Sequence, residues 1–384
     1  MSDINQKNIC PGVKHEELLA RIKLNAAFPY NTDRICLLME IFGNASEAVK
    51  ADAKDLFQKA GFTLDSAEKT VKFFKDFSSE KEIMLAEKNG IKILTKEDNE
   101  YPEKLSFICD APIVIYTKGD CSNLNRTAAA IVGTRHPSPY GLRMASEISS
   151  GIAAHGVSVV SGLARGIDSA AHKAALACGG ITWAVLGTGL LQTYPAENSY
   201  LADKIANSGG TVISEYPLMQ KARQISFPRR NRIISGISNA VTVIEGTFRS
   251  GSLITARCAL EQGRDVLALP GHADSIYSQG PHYLIKNGAY LAESADDVLS
   301  CITEEFRNKI RKAKKEEKIH SAEIEKLSAE NAEVYNIIAS DKNGFTADEI
   351  ALKWGKDVPL TSASLFELEV SGLICQKCGR YAAT

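Results

Sequence analysis

AAIVGTRHPSPYG, residues 129–141, runs from an almost unbroken apolar stretch into a glycine and then a polar turn that opens a helical pattern. The same order returns in VSVVSGLARGIDSAAH (157–172), ITWAVLGTGLLQTYPAEN (181–198), TVISE (211–215), AVTVIEGTFRSGSLITA (240–256) and DVLALPG (265–271). Apolar β-rich runs separated by helical stretches, at a spacing of roughly 25 to 30 residues, are the mark of βαβ units and a parallel sheet. Strands that are apolar nearly throughout need helices on both faces. Residues 129–301 therefore predict an α/β core: an extended Rossmann-like, doubly wound, mostly parallel sheet. Five of its six strands end at a glycine: Gly133, Gly162, Gly187, Gly246 and Gly271.

In such sheets ligands bind beyond the carboxyl ends of the strands, where helix N-termini offer free N–H groups and a partial positive charge. Here the strand-end loops combine glycines with hydroxyl residues, and glycine lets a phosphate approach the backbone closely. Gly133, Thr134, Ser161, Gly162, Gly166, Ser250, Gly251 and Ser252 are the candidate phosphate-binding residues of this kind. Arg135, Arg165 and Arg249 lie in the same loops, and FPRRNR adds Arg229, Arg230 and Arg232. A guanidinium grips a phosphate in bidentate fashion. Phe227 in that segment either stacks on a base or anchors the segment in the core, and Asn231 is a structural residue or a backbone clamp.

The net charge is −1, so the chain as a whole is no basic coat for a polyanion, and any such site rests on locally placed cations. No loop after the first strand fits GxGxxG and no GxxxxGK[ST] occurs, which argues against ordinary NAD or ATP sites; no cofactor is expected. Asp168, Glu215 and Glu245 are possible acids or bases, with plainer roles as a helix cap (Asp168) and as strand-end hydrogen-bond acceptors. His136, His172 and His272 read as loop and capping residues rather than a metal set. The nine cysteines are scattered and suit reduced thiols, and the lone pair Cys375 and Cys378 reads as two thiols of a short hairpin, with no metal expected. The N-terminus lacks a signal-peptide pattern and no apolar run is long enough to span a bilayer, so a cytosolic, membrane-free protein is expected.

Outside the core, residues 1–85 carry apolar positions at helical spacing in LLARIKL, RICLLMEIF and TVKFFKDF. They predict a helical domain, either a SAM-like or helix-hairpin-helix unit that touches DNA or a partner, or a packed accessory. Residues 86–302 form the sheet domain, with IKIL and PIVIY bridging into the core at 129–301. The mixed-charge stretch 303–326 reads as an exposed helix or linker. Residues 327–384, three helical patterns followed by a β-like end, suggest a winged helix-turn-helix.

Taken in order, IVGTRHPSPYG, SGLARGIDSAAHKAAL, AVLGTGLLQTYPAEN, ISEYP, FPRRNRIISGIS, VIEGTFRSGSLITARCALEQGR and ALPGHADSIYSQGPHYLIKNGA resemble the DprA/Smf family of bacterial DNA-processing proteins. The resemblance implies a non-enzymatic protein that binds single-stranded DNA, protects incoming strands during natural transformation and helps load the RecA recombinase in recombination. It also implies a homodimer. By similarity, Arg135 contacts a backbone phosphate, and Ser161, Gly162, Gly166, Phe227 with its arginines, Ser250, Gly251 and Ser252 line the strand. The alternative reading is a nucleotide-processing enzyme of the lysine-decarboxylase-like phosphoribohydrolase type with Glu245 near the rim. That group resembles PGGxGT followed by a helix with a glutamate inside it, whereas here SLITARCALEQ holds only Glu261. A transcription regulator acting through the tail is a third reading.

Overall fold

The computed structural model describes residues 15–302, 327–341, 344–371, 373–377 and 379–383. Cys10, Cys378 and the charged stretch 303–326 lie outside the described residues. The chain divides after Thr303 into two compact units.

Among the described residues the first unit begins with six helices: α1 (His15–Ala27), α2 (Thr32–Phe42), α3 (Ala45–Lys50), α4 (Ala53–Ala60), α5 (Leu64–Asp76) and α6 (Ser79–Lys88). Most start on a side-chain cap, with Asn31, Asn44, Asp52, Thr63 and Ser78 each accepting a main-chain N–H of the first turn. Their apolar sides, led by Leu18, Ile22, Leu24, Leu38 and Leu56, share one core with Val114, Tyr116, Leu186 and Leu218 of the sheet region. Polar ties reinforce this: Asn25 donates to the Glu215 carbonyl at 2.7 Å, and Glu82 accepts the Leu218 N–H at 2.7 Å.

Nine strands form one sheet: β1 (Ile91–Leu94), β2 (Ile115–Gly119), β3 (Ala128–Val132), β4 (Ser158–Ser161), β5 (Thr182–Val185), β6 (Thr211–Ser214), β7 (Ala240–Val243), β8 (Asp265–Ala268) and β9 (Tyr290–Leu291). Their order is β1-β2-β6-β5-β4-β3-β7-β8-β9. From β6 to β9 the neighbours are parallel, while β2 pairs antiparallel with β6 and with β1. IKIL and the end of PIVIY, continued to Gly119, thus add two antiparallel strands to the sheet, with β1 at its edge, rather than only bridging into it. All six core strands foreseen from the apolar runs are present, each ending within three residues of its glycine or acidic turn.

All five residues of β3 are buried, because Ala128, Ala130 and Val132 turn to one helix layer and Ala129 and Ile131 to the other. The helices that follow the strands are α7 (Glu103–Ser106), α8 (Pro139–Ala154), α9 (Ile167–Ala177), α10 (Ser199–Asn207), α11 (Ser226–Gly236), α12 (Gly251–Glu261), α13 (Gln279–Lys286) and α14 (Ala295–Ile302). Ile233, Ile234 and Ile237 of α11 and Ala256 and Ala259 of α12 share a core with β3, β7 and β8. The chain winds outward from β3 through β4, β5 and β6, then returns to lay β7 on the free side of β3. That return creates the switch point where adjacent loops diverge and leave a crevice.

The second unit holds α15 (Ala329–Ala339), α16 (Ala347–Trp354) and α17 (Val358–Val370), then an antiparallel hairpin of β10 (Ile374–Lys377) and β11 (Arg380–Ala383). Thr346 and Glu349 form a reciprocal capping box at the start of α16. Val334, Ile338, Ile350, Leu365 and Leu368 make its own core.

Candidate nucleic-acid interface

The crevice at the switch point is an open groove of 610 Å³. Its walls come from the loop after β3 (Gly133, Thr134, Arg135), the loop after β4 (Ala164), the start of α9 (Asp168), α11 (Phe227, Arg230, Asn231) and the start of α12 (Ser250, Gly251, Ser252). Main-chain bonds lock the loops together. Thr134 donates its N–H to the Glu245 carbonyl at 2.8 Å, and Ile167 donates to the Thr134 carbonyl at 3.3 Å. Gly166 makes this closeness possible: its φ is +75°, and a Cβ there would lie 2.5 Å from the Thr134 oxygen.

Arg135 is exposed, and its guanidinium carbon stands 5.3 Å from the centre of the Phe227 ring. Tyr194 packs on the other reach of that ring, with centroids 5.5 Å apart. An exposed cation, two aromatic rings and the N-terminal turn of α12 thus face one channel. Ser250 caps α12 by accepting the Ser252 N–H at 3.3 Å, and the two hydroxyls meet at 2.7 Å. This is a surface for an anion with a flat group attached to it, the chemistry of a nucleotide.

The acids are engaged elsewhere. Asp168 is buried, and its carboxylate accepts the N–H groups of Gly162 at 3.1 Å and Ala164 at 3.3 Å. Burial pushes its pKa above the usual carboxylate range, against Arg230 and those two donors. Asp168 therefore braces the β4 loop from within α9, whose N-cap position belongs to Gly166. Glu245 accepts both the N–H of Ser138 at 2.9 Å and its hydroxyl at 2.5 Å, and Ser138 caps α8.

Residues 92–303 match the family of the DNA recombination-mediator protein A. The Escherichia coli protein Smf is 36% identical over 326 residues, which cover 85% of this chain and 86% of that one. The chain belongs to the DNA recombination-mediator protein A family. Another member, the Streptococcus pneumoniae DNA processing protein DprA, is 46% identical over 203 residues, 53% of this chain and 71% of its own. A crystal structure of the S. pneumoniae protein aligns with a TM-score of 0.64 and 34% identity, covering 76% of this chain and 99% of that one. The Helicobacter pylori DprA structure, described for its single-stranded DNA binding mode, aligns at 0.50 with 27% identity, covering 55% of this chain and 94% of its own.

In this DprA-family chain FPRRNR is helical, the first turns of α11, and a helix sends neighbouring side chains to different faces. Phe227, Arg230 and Asn231 line the groove, while Arg229 and Arg232 line a separate cavity on the other side of the helix. Arg230 is 5% exposed and donates to the carbonyls of Gly162 and Val185. Burial lowers its pKa to about 10, with Asp168 opposing, so it stays charged near neutrality. Arg232, also 5% exposed, pairs with Glu215 and, at 3.0 Å, with Asp110. Burial opposes its charge, but those two carboxylates outweigh burial and raise its pKa. Asn231 donates to the Gly251 carbonyl at 3.1 Å, which ties α11 to α12.

Ser161 is buried and donates to the Ile131 carbonyl at 2.6 Å, so its side chain joins β3 to β4. Gly162 and Arg165, with Tyr194 and Pro195, line a small recess continuous with the groove. Arg165 is exposed and paired with Glu197 at 2.7 Å. His172 lies inside α9 rather than in a loop, fully buried, with Nδ1 2.6 Å from the Thr182 hydroxyl. Tyr194 escaped the sequence reading. Its signal was an aromatic residue in the glycine-started turn after β5, the same context that singled out the other loops.

Proposed function

We propose that the switch-point groove binds one strand of DNA, with Arg135, Gly133, Thr134 and the Ser250–Ser252 turn on its phosphates and Phe227 with Tyr194 against a base. The observation that carries this reading is Arg135 poised 5.3 Å from the Phe227 ring at the convergence of separate strand-end loops. Arg165 extends the cationic rim once Glu197 releases it, whereas Arg230 and Arg232 act from inside by holding α11 in place. The protein then protects processed or incoming single strands and passes them to the RecA recombinase, as a cytosolic homodimer without a catalytic step. The engagement of Asp168 and Glu245 in bracing the loops supports binding over nucleotide hydrolysis.

We further assign residues 1–85 to a SAM-like helical domain, 86–302 to strand binding, 303–326 to a linker and 327–384 to a winged-helix domain that serves partners or a second stretch of DNA.

The test is titration of a labelled oligothymidine at several salt concentrations. Wild type gives a log–log slope of about −0.7 per phosphate contacted, and Arg135→Ala lowers both affinity and slope. An unchanged slope and affinity in that variant would place the strand elsewhere, and release of free base from nucleoside monophosphates would establish the enzyme reading instead.

A further inference from the structure

Across the N-terminal turn of α11 from the groove lies a second open cavity, of 820 Å³, and Pro228 stands on the rim of both. Lys104, Arg229, Arg232 and Arg264 line it, with Asp110 and Glu261 as its acids. Both acids are engaged: Asp110 pairs with Arg232 at 3.0 Å and Glu261 with Arg257 at 2.8 Å. Lys104 and Arg264 have only neutral hydrogen-bond partners among the described residues. The Lys104 amine donates to the Arg126 carbonyl at 3.2 Å, and Arg264 to the carbonyls of Lys104 at 3.1 Å and Gly236 at 3.4 Å. Arg229 donates to the Thr32 hydroxyl at 3.1 Å and lies in the field of Glu215, which Arg232 already engages.

Two like charges thus share one wall, with Glu103 the carboxylate that acts on Lys104. Burial and the nearby Arg264 hold the Lys104 amine below the ordinary lysine range. Three guanidinium nitrogens at this cavity are buried without a hydrogen-bond partner: Nη1 of Arg232, itself 5% exposed, and Nε of Arg229 and of Arg264. At Lys104 the repulsion of Arg264 exceeds the attraction of Glu103, an imbalance that one bound anion relieves. Phe107, 76% exposed, stands on the same cavity wall. An exposed ring beside cations takes a base next to its phosphate.

We infer that this second cavity is a nucleotide subsite for the same strand, with Lys104 and Arg264 on a phosphate and Phe107 under the attached base, reached where the strand crosses Pro228. It rests on the reading of the first groove as a single-strand site. The exposed Phe107 ring favours a nucleotide over an acidic peptide, whose carboxylates would use the cations but leave the flat face uncovered.

The test uses the full-length protein and oligothymidines of increasing length, with Lys104→Gln and Phe107→Ala, both at exposed or half-exposed positions. For long oligomers Lys104→Gln makes the salt slope shallower by about 0.7. Phe107→Ala weakens binding by roughly five- to a hundredfold. For the shortest oligomers both variants match wild type, while Arg135→Ala is weak at every length. Wild-type slope and affinity for both variants on long oligomers, with Arg135→Ala still weak, would overturn the second subsite and leave the first groove standing. Wild-type binding by Arg135→Ala as well would remove the first groove. If thymidine monophosphate alone fills the cavity and fails to compete with long oligomers, the ligand is a free nucleotide and the continuous strand path is refuted.

Discussion

Arg230 reaches from the second turn of α11 to the strand ends of the sheet, its guanidinium donating to the main-chain carbonyls of both Gly162 and Val185. One side chain therefore fastens α11 to the ends of β4 and β5. Although it sits among arginines that suggest a phosphate grip, its Nη1 and Nε donors are spent on the protein.

Replacing Arg230 with Ala should cost about 3 kcal/mol of stability, since two buried carbonyls lose their donor and Asp168 loses its neighbouring cation. The urea midpoint falls by the corresponding amount. Arg135→Ala, at an exposed position, leaves the midpoint within about 0.5 kcal/mol of wild type while strand binding drops. Equal midpoints for the two variants would refute this division of labour.

Gly187→Ala tests the Phe227 ring without touching it. The added Cβ would come 2.9 Å from Phe227 Cδ1 and 3.2 Å from Cε1, so the ring has to move. Affinity for single-stranded DNA should fall by up to the roughly 1 to 3 kcal/mol that one stacked base contributes. The readout is an equilibrium titration, with thermal melting as the control for folding.

At Gly166, Ala is expected to do more damage. Its φ of +75° and the 2.5 Å approach to the Thr134 oxygen make any side chain strained there, at a cost of about 1 to 3 kcal/mol. Because the displaced atoms belong to the loop that carries Arg135, stability and strand affinity should fall together. A variant that loses stability but binds normally would show that the loop tolerates the shift.

His172 predicts a pH effect with a definite sign. Thr182 uses its hydroxyl hydrogen on the Val159 carbonyl at 2.7 Å, so Nδ1 of His172 is the donor to Thr182, and the ring is neutral. Burial lowers its pKa to about 3. The unfolded chain therefore takes up a proton near pH 6.5 that the folded chain refuses, and stability is full above that pH and lost as pH falls toward 3. The loss approaches about 1.4 kcal/mol per pH unit inside that window. Asp168 and Glu215, whose pKa values burial raises, work in the opposite sense. The measurement is thus the difference between wild type and His172→Asn, followed by urea denaturation from pH 7 to 4; a pH-independent difference would discount the histidine.

The sheet was legible because its strands obey a rule that sequence displays directly: a strand covered on both faces is apolar at successive positions, as in Ala128–Val132 and Ala240–Val243. Arg135, Gly133 and the Ser250–Ser252 turn were legible for a related reason, since a glycine or hydroxyl at the end of such a strand marks the carboxyl rim. Arg230 and Arg232 were harder. Composition places arginine on the surface, and only the third dimension brings carbonyls or Glu215 to meet them inside. The helical twist of α11 then divided one tight cluster between two cavities. Tyr194 met Phe227 only through the packing of the β5 loop on α11, a contact between positions that no local pattern links.

The position of β3 between β4 and β7 bears on how the chain is made. When β3, β4, β5 and β6 have left the ribosome, β7 has not, so the inner flank of β3 is a row of unpaired main-chain groups. That flank is apolar, an invitation to another chain, and the arrival of Ala240–Val243 seals it just before Ser250–Ser252 close the groove. A nascent chain thus gains its ability to hold a strand and the cover over β3 in closely consecutive late steps.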